Sequence, residues 1–250
     1  QLLFQFKNTP MGLQTLEGNP LPAPIFDTKL LQSIKTFSIT IESVSHVLPF
    51  LEKKFSGDST IILELPFQSQ YSALPKAHFL MATPSNGEGT FENSGIWFVQ
   101  RQNTSSTDLP HFSELQSGLP LPVAPLHWHY NGWIRTQILP EKWLKTGGFT
   151  DPKQSDQEHL FSPIPSAYPF PGEEFLINPP PDSPFPFNLA ASGETELVIS
   201  LEPQNIPVNT PFFILYRTPI LKAAPVHQNL PMKEANPSFP AVQIELTNAP

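Results

Sequence analysis

The chain has 250 residues, among them 32 prolines, 20 phenylalanines and no cysteine, and carries a formal net charge of −8 at pH 7. Without cysteine there are no disulfides, no thiolate metal sites and no thiol nucleophile, and an acidic chain with no cluster of Lys or Arg argues against nucleic acid or an anionic membrane surface as partner. Prolines spread from Pro10 to Pro250 break helices throughout, while the aromatic content supplies apolar surface to offset chain entropy, so the expectation is a folded all-β protein with long, proline-stiffened loops.

Residues 1–7 alternate Leu and Phe with polar side chains and predict a first strand, followed by a loop over 8–24. Helical periodicity survives only around 26–34 and 47–55. Between these, KTFSITIE at 35–42 sets Phe37, Ile39 and Ile41 on one face and Thr36, Ser38, Thr40 and Glu42 on the other, the pattern of a half-buried strand. Further strands are expected at 60–65, 78–82 and 95–100 (GIWFVQ). No apolar run approaches the roughly 20 residues that cross a bilayer. The chain opens at Gln1 and not at methionine, from which we expect that a signal peptide or lipoprotein leader has been removed, with an N-terminal lipid anchor on the full-length protein as one form of it.

Residues 118–152 hold three of the four tryptophans. Trp128, Tyr130, Gly132, Trp133 and Ile134 read as a strand, with Trp128, Tyr130 and Gly132 on one face and His127, His129, Asn131 and Trp133 on the other. Two imidazoles on one strand face could share copper or zinc, with His111 or His78 as a third ligand; the competing reading makes them half-exposed strand residues beside an aromatic cluster. After Pro140, Trp143 and Leu144 begin another strand, and Gly147-Gly148 is expected to turn the chain before Phe149. Trp128, Tyr130, Trp133 and Trp143 form a candidate aromatic contact surface or a seam between units, against the plainer reading that they are core.

Residues 154–192, rich in Pro, Phe and Ser, read as a packed structural loop whose adjacent Glu173 and Glu174 point apart and lie on a solvated edge or turn. Residues 242–246 form a last strand that closes a sheet edge. Two stretches read alike, IILELPFQSQYSALPKAHFLMATP at 61–84 and LVISLEPQNIPVNTPFFILYRTP at 197–219, each an aliphatic strand, a proline-bearing connector and a strand ending in Thr-Pro. From this we expect two related β-sandwich-like units, one over 1–100 and one over 101–250, packed together.

Across 79–219 the sequence resembles a largely uncharacterised group of secreted or lipid-anchored bacterial proteins, some labelled anti-sigma factors. The shared words are ATP at 82–84, ENSGIWF at 92–98, GLPLP at 118–122, Tyr130 with Gly132-Trp133, TGGFTDP at 146–152, PGEEFL at 171–176 and VISLEP at 198–203. The chain departs in having Asn131 where members carry Glu, and in lacking their acidic linker after VISLEP. The resemblance implies an extracytoplasmic β-rich domain that senses or binds, and assigns no catalytic residue. No nucleophile elbow, Walker loop or zincin helix occurs, so the expected function is a non-enzymatic extracytoplasmic (periplasmic, cell-surface or secreted) binding or sensor module for a protein, peptide or glycan, without cofactor. The alternative is a copper or zinc protein using His127 and His129.

Overall fold

A computed structural model describes residues 71–235, apart from 72, 88, 137–141, 159, 163–167 and 205–206, together with the backbones of six strands outside that span. The expected strand at 1–7, save Lys7, and the window at 26–34 lie outside the described residues. The chain divides into two compact units, one made of Gln1–Gln70 with Ser238–Pro250 and the other of Tyr71–Pro237.

In the first unit, β1 (Lys7–Thr9) and β2 (Gly12–Gln14) form a small hairpin inside the expected loop. A longer hairpin joins β3 (Thr36–Ser43) to β4 (His46–Lys54). The helical reading of 47–55 is thereby corrected: Pro49 cannot donate the bond a helix interior needs, and it is tolerated here because Ile39 faces Leu51 while Thr40 faces Pro49, which leaves Phe50 bulged out of the ladder. β5 (Thr60–Leu63) pairs antiparallel with the strand Val242–Glu245, in register from Thr60↔Glu245 to Leu63↔Val242.

The second unit runs β6 (Ala77–Phe79), β7 (Gly95–Trp97), β8 (Val99–Arg101), β9 (Leu115–Ser117), β10 (Trp128–Arg135), β11 (Leu144–Phe149), β12 (Gly172–Glu174), β13 (Thr195–Pro203), β14 (Phe213–Ile220) and β15 (Leu230–Glu234). Six of these make one antiparallel sheet in the order β11-β10-β13-β14-β15-β6. The strip continues beyond β6, because Leu80 and Trp97 exchange backbone bonds of 2.8 and 2.9 Å and β7 then pairs with β12. β12 packs against β11, so the sheet curls through eight strands until its two ends meet. Among the described residues of this unit the helical turns are three-residue 3-10 turns, and no helix of seven residues or more occurs among the described residues. Frequent prolines disfavour long helices, and the apolar alternation between them favours strands.

Two expectations need correction. A boundary between residues 100 and 101 would cut through β8, and strands from either side pair, β6 with β15 and β7 with β12. The two stretches read as copies pair differently: β13 and β14 bond to each other, whereas β5 bonds to Val242–Glu245 in the first unit and β6 to β15 in the second. Their shared wording reflects the common needs of two apolar strands joined through prolines, and duplication is not needed to explain it.

Inside the curl, Tyr130, Ile134, Phe149, Leu197, Ile199, Leu201 and Tyr216 are buried to within 1% of full enclosure. A second cluster holds Leu80, Ala82, Trp97, Val99, Leu115 and Tyr168, with the Tyr168 ring edge-on to Trp97 at 5.1 Å. Each large apolar side chain so enclosed contributes about 1.5–3 kcal/mol by leaving water.

Gly147-Gly148 sits within β11, not at a turn. Gly132 faces Gly147 while Trp133 faces Lys145, so Thr146 is the extra residue of a bulge. Gly147 takes φ +115°, and a Cβ there would lie 2.6 Å from the Asp156 carboxyl carbon; both conditions demand glycine.

Candidate functional site

β10 is preceded by a tight turn in which the Trp128 N–H donates to the Pro125 carbonyl at 2.9 Å. His127 at its third position has φ +68°, the conformation that a type II turn requires there. The turn leaves His127 exposed and outside the strand, while His129 lies within it. The two histidines expected to share one face therefore do not. Among the described residues no group of three His, Cys, Asp or Glu stands close enough to hold a metal ion. His111, one of the suggested third ligands, instead contacts the Ser113 hydroxyl at 3.1 Å and the Phe112 ring.

Along β10 the alternation holds. On one face the Tyr130 hydroxyl donates to the Pro122 carbonyl at 2.9 Å, so its 2.5 Å contact with Tyr71 has Tyr71 as donor. Trp128 stacks on Phe213 at 5.8 Å and touches Phe212 at 6.3 Å. On the opposite face His129, Asn131 and Trp133 meet Ser200 and Glu202 of β13, their register partners being Glu202 for His129 and Ser200 for Asn131.

Glu202 is the centre of this polar cluster and is fully buried. It accepts from Trp133 Nε1 at 2.6 Å, Ser200 Oγ at 2.6 Å and Asn131 Nδ2 at 3.1 Å. Burial pushes its pKa up, and the donors together with Lys145 pull against that shift. His129 Nε2 stands 3.7 Å from Glu202 Oε2, beyond hydrogen-bond reach. Burial first, and Lys145 second, lower the imidazole pKa to about 4, so at neutral pH the pair is a neutral ring beside a carboxyl and not an ion pair. The Glu202 carboxyl is thus held by donors from β10 and β13 themselves.

The aromatic contact surface is corrected by the same geometry. Trp128, Tyr130 and Trp133 are 4%, 0% and 1% exposed, because both faces of β10 are covered. Only Trp143 is half-buried, beneath the Arg135 guanidinium at 4.6 Å. Among the exposed apolar groups, three are their neighbours: Val123, Leu126 and Phe212, at 63%, 84% and 40% exposure. All three belong to one end of the sheet. The Ala124 N–H binds Thr150 just past β11, Leu126 leads into β10, the Gln204 N–H past β13 binds the His127 carbonyl, and Phe212 immediately precedes β14. The stack of buried Trp128 on half-buried Phe213 lies behind this rim.

The burial of three further polar groups was not anticipated from the sequence. The His227 Nδ1 is 2.9 Å from the Thr107 carbonyl and its Nε2 is 3.1 Å from Glu92, which also accepts from the Thr83 N–H at 2.7 Å. Arg101, 3% exposed, donates to the carbonyls of Ser106, Asp108 and His227 and pairs with Glu114 at 3.3 Å. A recess of about 140 Å³ beside it is lined by Arg101, Thr104, His227, Gln228 and Asn229. Lastly, Glu173 and Glu174 do point apart but are fully buried in β12, not on a solvated edge. Glu174 is held by the Ser85 hydroxyl, and Glu173 accepts from the Leu160 N–H at 3.2 Å. Partners this far apart in sequence leave no local signal; the one clue is PGEEFL itself, two acids flanked by Pro, Gly and apolar residues.

No protein-family model, curated protein or solved structure matches this chain.

Proposed function

We propose that the chain is a non-enzymatic extracytoplasmic binding module that meets a protein or peptide partner through the apolar rim of Val123, Leu126 and Phe212. The observation that supports this reading is the 84% exposure of Leu126 at the tip of a turn, next to two further exposed apolar side chains and backed by stacked rings. Apolar groups gathered in this way and supported by a rigid sheet are the usual core of a contact patch.

The test is selection of binding peptides from a random library on the immobilised chain, followed by titration of the selected peptide against the wild type and a Leu126→Asp/Phe212→Ser double variant. At least a tenfold weaker affinity with unchanged Tm is expected; equal affinity would move the contact elsewhere. Fractionation of the producing cells addresses the compartment, and recovery of the mature chain from the cytosol would overturn the extracytoplasmic part.

A further inference from the structure

Between β11 and β12 the curled sheet has no backbone pairing among the described residues, neither a ladder nor an isolated bridge like the Leu80–Trp97 one that leads from β6 to β7. The segment that follows β11 turns back and fills this gap. The Gln157 N–H donates to the Gly148 carbonyl of β11 at 2.9 Å, and the neighbouring Asp156 carboxyl accepts from the Gly172 N–H of β12 at 3.0 Å. The carboxyl group sits against Gly147, in space that any side chain there would occupy. One residue along β12 from Gly172 is Glu173, so two carboxyl groups, 6% and 0% exposed, meet at the gap.

We propose that this gap is a pH-sensitive clasp, closed while Asp156 and Glu173 hold their protons and loosened when they lose them. Asp156 faces Glu173 across the gap and accepts from the backbone N–H groups of Gly172 and Glu158; Glu173 faces the Ser162 hydroxyl and the backbone of Leu160, Phe161 and Ser162. Glu174 points away, toward Ser85 and the Glu92 carboxylate. Glu173 Oε1 is buried without a hydrogen-bond partner among the described residues, which a charged oxygen tolerates poorly. Burial pushes both carboxyl groups up to about 7, and for Asp156 the neighbouring Glu173 adds to it. In an unfolded chain they titrate near 4. A folded pKa raised above the unfolded one means that the native state binds more protons, so the stabilisation is complete below about pH 4 and is lost as the pH rises through about 7.

Hydrogen exchange, corrected for intrinsic rates, tests this on the full chain with His159→Asn as background, so that only the carboxyl groups titrate in this segment. Between pH 5.5 and 8.5, protection of β11 and β12 should fall at least tenfold while that of β13 and β14 changes less than twofold. Asp156→Asn keeps an acceptor for Gly172 without the charge and should hold protection at pH 8.5 near its pH 5.5 level; Glu173→Gln should do so in part and serves alone if the first variant fails to fold. Uniform loss across all four strands, or an unchanged pH profile in Glu173→Gln, would overturn the proposal.

Discussion

Single residues decide the local geometry. Gly147 is irreplaceable on two counts, its backbone angle and the Asp156 carboxyl in its Cβ space, so Gly147→Ala should cost about 2–4 kcal/mol in urea denaturation. Glu202 gathers three donors in a fully buried site. Glu202→Leu would leave them facing an apolar group, at a cost of about 2–4 kcal/mol. His129 provides a titration readout. Its folded pKa of about 4 lies below the unfolded value near 6.5, so its neutral form contributes stability above pH 6.5 that is lost as the pH falls toward 4. Its imidazole carbon-bound proton shifts should stay constant from pH 8 to 5 in NMR, and a midpoint near 6.5 would contradict the burial seen here. At this scale the sequence was informative about alternation, since Tyr130 and Trp133 do fall on opposite faces. It was silent on His127, because a left-handed backbone angle at a non-glycine residue is imposed by the turn and has no signature of its own.

Elements followed the two-residue beat wherever it was clean. β3 falls where KTFSITIE predicts it and β5 takes up the first four residues of TIILEL, whereas β4 was read as a helix because its apolar residues, shifted by the Phe50 bulge, mimic helical spacing. Gly147-Gly148 was misread for the same reason: glycine pairs mark bulges as well as turns, and which of the two is set by the partner strand. The tryptophans make the element-level prediction. Trp97, Trp128 and Trp133 are enclosed while Trp143 is half-buried, so Trp143→Phe should remove most of the acrylamide-quenchable fluorescence. Quenching that survives the substitution would show that β10 is more open than described.

For the whole molecule, class was legible and connectivity was not. Frequent prolines weigh against helical layers on composition alone, but which strands pair depends on contacts between residues such as Leu80 and Trp97 or Glu92 and His227, and no local pattern records those. The apparent repeat misled because it compared words, while β5 and β6 lie in different units. Since Tyr71–Pro237 contains its own sheet and core, a fragment of those residues should unfold in a single cooperative transition by circular dichroism. A broad, non-cooperative melt would show that it depends on the remainder of the chain.

The pairing of Thr60–Leu63 with Val242–Glu245 also orders events at the ribosome. The whole of Tyr71–Pro237 is made between the two members of that ladder, so the first strand must wait, with its backbone groups unpaired, until the second is synthesised. The unit Tyr71–Pro237 can reach its native arrangement during that interval, whereas the unit built on Gln1–Gln70 is completed only once Ser238–Pro250 has emerged.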